Sequence, residues 1–127
     1  MIVPVLKRIL VRGEPDNKDD FVLAASADIG TNDSPGVDYF YFRIMTPKRL
    51  QCMIDEDLIL DGRATFIVKE FDLSIVEKEI NKILNDCIRP TWDDVTKAIN
   101  RHLSWEYDNI HYETFDEAMA RLHTEES

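Results

Sequence analysis

The side chains in this sequence that are grouped closely enough to act together are carboxylates in two short segments. Grouped carboxylates can bind a divalent cation, transfer protons in hydrolysis, or contact basic side chains of another protein. A calcium-binding loop needs a glycine at its sixth position, but the residues there are Phe21, counting from the first segment, and Leu60, counting from the second. The two groups are Asp16, Asp19 and Asp20 in the first segment, and Asp55, Glu56 and Asp57 in the second.

Other catalytic patterns are weaker. No two histidines have the i, i+4 spacing that places two imidazoles on one helix face. A zinc site from His102, His111 and Cys87 would need ligands from three separate elements. No serine lies in a Gly-x-Ser-x-Gly context, and four glycines leave no phosphate-binding loop. We therefore expect no enzymatic activity, no cofactor and no metal, with a small hydrolase built from scattered carboxylates and a histidine as a rival.

The second acidic group is unusual because of its position. Thr46 and Pro47 are typical of a helix start, and the predicted helix ends near Asp55, Glu56 and Asp57. The helix dipole disfavours negative charge at that end, by roughly 0.3–1 kcal/mol per group. These acids are therefore better explained by contact with a partner, unless the helix ends two residues earlier, and the first loop could extend the contact.

The elements that would position these groups can be predicted from hydrophobic periodicity. Residues 2–12, 21–29 and 37–45 are typical of strands, and residues 63–71 predict a fourth. Residues after Pro47, after Ser74 and after Thr91 predict three helices with apolar stripes, and residues 105–107 could form a closing strand. This order predicts an α+β fold: an antiparallel sheet of about four strands with about three helices packed on one face.

One sheet face offers a second candidate surface. If the helices cover Phe40, Phe42 and Ile44, then the alternate residues of the same strand face away from them. Tyrosine and arginine are enriched at interface hot spots, although a solvated face, or one covered by the C-terminal tail, is the simpler explanation. The residues on this second face are Tyr39, Tyr41 and Arg43.

Composition limits the partners. Asp and Glu number 25 against 15 Lys and Arg, so the net charge is −10. A chain this acidic is repelled by nucleic acid and by anionic membranes, whereas a basic protein is attracted to it. Two cysteines 35 residues apart, no secretory signal and no long apolar run favour a reducing, cytoplasmic setting.

Several motifs, in order, resemble a known family. They are residues 42–50 (FRIMTPKRL), Gly62 with residues 66–72 (FIVKEFD), residues 91–94 (TWDD) and residues 105–107 (WEY). The sequence up to about residue 107 resembles the immunity protein 8 family of bacterial polymorphic toxin systems. The resemblance implies an α+β protein that is encoded beside a toxin and protects its own cell, without enzymatic activity. It carries over no set of toxin-contacting residues.

These inferences define the predicted organisation and partners. Residues 1–107 are predicted to form a single α+β domain, and residues 108–127 a partly helical extension that is packed on the domain or mobile. We expect a monomer or weak dimer that binds a cognate toxin domain and neutralises it by occluding a basic active site. The toxin is expected to be a basic protein, and a nuclease is one candidate. The alternative is an acidic adaptor or structural subunit that binds another protein.

Overall fold

The computed structural model describes residues 1–108. Three strands lead into a helix, and a short strand, two further helices and a two-residue strand complete the order, which confirms the α+β class. In chain order the elements are β1 (Val5–Arg12), β2 (Val22–Gly30), β3 (Val37–Met45), α1 (Pro47–Asp57), β4 (Thr65–Ile67), α2 (Leu73–Asn85), α3 (Trp92–Ile99) and β5 (Ser104–Trp105).

The sheet is mixed, whereas the short connections predicted an antiparallel one. β1, β2 and β3 form an antiparallel meander, and β5 pairs antiparallel with the first half of β3. β4 pairs with the second half of β3 in the parallel direction, since α1 forms the crossover that returns the chain to the same end of the sheet. β4 has three residues rather than the predicted nine, because β3 ends at Met45 and offers no further partner.

The core lies between one sheet face and two helices. Alternate residues of β2 and β3, including Ile29, Phe40 and Ile44, are buried against the apolar stripes of α2 and α3. The predicted stripe of α2 is confirmed by the burial of Ile80, and that of α3 by the burial of Ile99. Polar positions between these residues lie on the opposite face of the sheet, called the open face below.

α1 contributes less to the core than its pattern predicts. None of its residues is buried. The apolar residues Leu50, Met53 and Ile54 are only half-buried, and they have charged neighbours along the helix. Thr46 fixes its start: the Thr46 N–H donates to the Phe21 carbonyl at 3.1 Å, and the Phe21 N–H donates to Thr46 Oγ1 at 3.1 Å. The threonine hydroxyl therefore ties α1 to the start of β2 instead of capping the helix as predicted.

The other two helix starts are capped by side chains. Thr91 Oγ1 accepts from the Asp94 N–H at 3.2 Å, as predicted. α2 begins earlier than the predicted Ser74 cap, because Asp72 accepts from both the N–H and the hydroxyl of Ser74. These bonds satisfy donors that a helix start leaves free.

Asp38 joins the last elements to the sheet. Its Oδ2 accepts the indole N–H of Trp92 at 3.2 Å and that of Trp105 at 3.0 Å. The start of α3 and the closing strand β5 are thereby held at one point on β3.

Candidate partner-binding surfaces

The acidic residues 55–57 form the last turn of α1. The helix continues to Asp57, all three acids are exposed, and the turn contains no basic residue. Asp55 Oδ1 accepts from Gln51 Nε2 at 2.9 Å, which is the one side-chain hydrogen bond of the three acids within residues 1–108. The helix does not end early, so the unfavourable interaction with its dipole remains unexplained by folding.

Two exposed aliphatic residues follow the acids directly, and sequence reasoning missed them. Leu58 and Ile59 are 84% and 79% exposed. Leu58 has φ 65°, the left-handed region that helix ends usually fill with glycine, and its N–H donates to the Ile54 carbonyl at 2.7 Å. The sequence did contain one signal for this pair: no glycine directly follows the helix, so a larger residue must occupy the left-handed position at its end. We call residues 55–59 the acidic end.

The first acidic loop is partly used by the fold. Asp16 and Asp19 are exposed, but Asp20 Oδ1 accepts from Arg49 Nε at 2.9 Å. This ion pair ties the loop to the first turns of α1, about 9 Å along the helix from Asp55 at 1.5 Å per residue. The loop can extend the acidic end, with Asp20 as its anchor to α1.

The second predicted surface consists of Tyr39, Tyr41 and Arg43, of which the tyrosines are exposed and the arginine is hydrogen-bonded within the fold. Tyr39 and Tyr41 are exposed on the open face, as alternation predicted. Arg43 is half-buried: its Nε donates to Thr65 Oγ1 at 2.9 Å and its Nη2 donates to the Asp61 carbonyl at 2.6 Å. Arg43 therefore positions the loop between α1 and β4.

A third tyrosine, Tyr107, belongs to the same region. The charge of Glu106 raises the pKa of Tyr107, with smaller contributions from burial and from the charges of Asp38, Tyr39 and Tyr41. Glu106 is fixed beside Tyr39, because its Oε1 accepts from the Tyr39 N–H at 3.1 Å and its own N–H donates to the Tyr39 carbonyl at 3.0 Å. Negative charge is thus held next to exposed aromatic rings, a combination that suits cationic groups.

Asp28 is the other group on the open face that sequence reasoning did not single out as a site. In the sheet register it lies between Arg8 on β1 and Tyr39 on β3. It is 6% exposed, and its Oδ2 accepts from Arg8 Nε at 3.1 Å. Its Oδ1 is buried and has no hydrogen-bond partner within residues 1–108.

The acids and the histidine that line one cavity of residues 1–108 are not joined into a catalytic arrangement. This cavity, of about 420 Å³, lies between β4 and the ends of α2 and α3. Its lining includes Glu79 and Asp86, two helical turns apart, and the exposed His102, and no hydrogen bond joins these side chains. Within residues 1–108, no three His, Cys, Asp or Glu side chains come together as metal ligands.

The zinc alternative is not supported by the residues that can be assessed. Cys87 is buried and burial raises the pKa of its thiol, which disfavours the thiolate that binds metal, whereas His102 is exposed. His111 and His123 lie outside the described residues, as does the predicted extension beyond Asp108. No helix in residues 1–108 is long and apolar enough to cross a membrane.

The fold and these surfaces define an acidic α+β protein whose exposed acidic, aliphatic and aromatic groups are of the kinds that contact other proteins. A model of the immunity protein 8 family matches residues 5–110, most of the chain. The chain belongs to this family and is an immunity protein. The curated proteins and the solved structures contain no significant match to it.

Proposed function

We propose that this immunity protein binds a cognate toxin and neutralises it by covering a basic active site. The observation that carries the proposal is the exposed acidic turn, Asp55, Glu56 and Asp57, at a helix end whose dipole disfavours it. Family membership supports the class of function, and the net charge of −10 supports a basic partner.

The acidic end has the composition of a small interface. Leu58 and Ile59 can fill an apolar depression on the toxin, while the three preceding carboxylates pair with lysine or arginine at its edge. Exposed acids also accelerate encounter with a positively charged surface. A toxin that acts on nucleic acid needs such a surface for its substrate, so an acidic protein bound there competes with the substrate.

One toxin domain can contact both the acidic end and the open face. Asp57 is four residues from Asp61, a span of at most about 14 Å, and the Asp61 carbonyl accepts from Arg43. Tyr41 is two residues from Arg43, about 7 Å along the strand. A standard interface covers about 800 Å² per partner, roughly 30 Å across, so Tyr41 and the acidic end fit within one contact area.

The experiment uses the toxin domain that family membership predicts to be encoded beside this gene. Expression of the toxin alone should stop growth, and co-expression of the immunity protein should restore it. The purified pair should form a one-to-one complex, measured by light scattering and titration calorimetry, in which toxin activity is lost. Binding of a basic protein without protection from toxicity would favour the acidic adaptor instead.

A further inference from the structure

The open face contains a buried charged group that the fold leaves incompletely paired. Asp28 lies on the central strand β2, its Oδ1 has no partner within residues 1–108, and its Oδ2 has a single bond to Arg8. The Arg8 side chain is 63% exposed, so solvent weakens this ion pair. A buried carboxylate oxygen without a hydrogen bond lowers stability, because its desolvation is not compensated.

The surroundings of Asp28 suit a planar cation. Tyr39, its neighbour on β3, and Tyr41 are both exposed, and Glu106 is held against the Tyr39 backbone. An arginine side chain can stack on a tyrosine ring while its N–H groups donate to carboxylates, whereas lysine presents a single compact charge. Buried carboxylates of this kind are typically paired with such a donor.

We propose that Asp28 is the acceptor for an arginine side chain of the toxin, which enters beside Tyr39 and donates to Asp28 Oδ1. This inference rests on the proposed function, and it adds the open face to the acidic end as a contact. Arg8 occupies the other oxygen in the free protein. Its exposed side chain can move aside without disturbing β1, since side-chain rotation is fast and needs no backbone change.

Arg8 and the toxin arginine therefore compete for one carboxylate. Arg8 repels the incoming cation and holds part of the charge of Asp28. Removing Arg8 should strengthen toxin binding, whereas removing the charge of Asp28 should weaken it. If the ion pair were purely structural, both variants would change toxin affinity in the same direction, because each one breaks the bond between Arg8 and Asp28.

The test compares Asp28→Asn and Arg8→Met. The controls, both at exposed positions, are Asp94→Asn in α3 for loss of one negative charge and Lys78→Met in α2 for loss of one positive charge. Dissociation constants for the inactivated toxin domain encoded beside this gene are measured by calorimetry. Asp28→Asn should weaken binding about thirtyfold or more, and Arg8→Met should tighten it about threefold. Asp94→Asn and Lys78→Met should each leave the dissociation constant within about twofold.

The outcomes that would contradict the proposed role of Asp28 are also defined. If Asp28→Asn does not weaken binding, or Arg8→Met does not tighten it, the proposal is wrong. If Asp28→Asn fails to fold, Arg8→Met decides by comparison with Lys78→Met. General charge attraction predicts equal tightening by both variants, whereas competition predicts tightening by Arg8→Met alone. If the wild-type protein binds no toxin, the proposed function fails as well. If the triple variant of the acidic residues 55–57 loses affinity while Asp28→Asn does not, only the role of Asp28 is rejected.

Discussion

Neutralising the acidic turn should separate binding from folding. The change is Asp55→Asn, Glu56→Gln and Asp57→Asn together, which retains side-chain size and removes three negative charges. Each charge at a helix C-terminus costs about 0.3–1 kcal/mol at low salt. Asn at position 55 can still accept the hydrogen bond from Gln51. We therefore expect the free energy of unfolding to stay equal or rise, by at most about 3 kcal/mol.

Toxin binding should change in the opposite direction. We expect the dissociation constant to rise at least tenfold, which is about 1.4 kcal/mol. Stability is measured by urea denaturation followed by far-ultraviolet circular dichroism at low and high salt, and the gain should shrink as salt screens the dipole. Binding is measured by calorimetry with the inactivated toxin domain.

A matched control uses an acid at the favourable end of another helix. Asp94 lies in the first turn of α3, where the dipole stabilises negative charge. Asp94→Asn should lower the free energy of unfolding by about 0.3–1 kcal/mol and leave toxin affinity unchanged.

Two results would refute the reasoning on the acidic end. A loss of stability above about 1 kcal/mol in the triple variant would give the acids a structural role. Unchanged affinity in that variant, with a large loss in Tyr41→Ala, would move the binding site to the open face. Unchanged affinity in both would show that neither predicted surface contacts the toxin.

Three further predictions concern association and the core. The association rate with the toxin should fall steeply from low to physiological ionic strength while the dissociation rate changes little, and stopped-flow rates that ignore salt would exclude steering. Phe42→Ala should cost about 3–5 kcal/mol in chemical denaturation. The half-buried Phe66 and Trp92 should cost less, and losses below about 1 kcal/mol in all three would contradict their contact with the core. Thr46→Val should cost about 1–3 kcal/mol because the buried Phe21 N–H loses its acceptor, and Thr46→Ser should recover most of that loss.

Local pattern was sufficient to predict the first three strands and the two core helices. Alternation placed Phe40 and Ile44 on the buried face and Tyr41 on the other, because side-chain direction in a strand depends only on position. The stripe through Ile80 predicted α2 for the corresponding reason in a helix. The position of the three acids at the end of α1 was also predicted, because a helix end can be located from local pattern alone.

Features that depend on neighbours distant in sequence were not predicted. The parallel pairing of β4 depends on where α1 returns the chain, and no residue of β4 specifies that direction. Alternation predicts that Asp28 is an exposed polar residue. In the sheet it is buried, with Arg8 on one side and Tyr39 on the other. Strand register decides such contacts, and register is set by the assembled sheet.

The shared acceptor of the two indole groups gives the protein a built-in optical probe. Trp92 and Trp105 are the only tryptophans in the chain, and both donate to Asp38 Oδ2. Indole emission responds to hydrogen bonding and to solvent, so fluorescence during denaturation reports the moment at which α3 and β5 leave β3. Circular dichroism of the same sample follows secondary structure throughout the chain. Coincidence of the two curves would indicate one cooperative unit, while an earlier fluorescence change would show that α3 and β5 detach from the meander first.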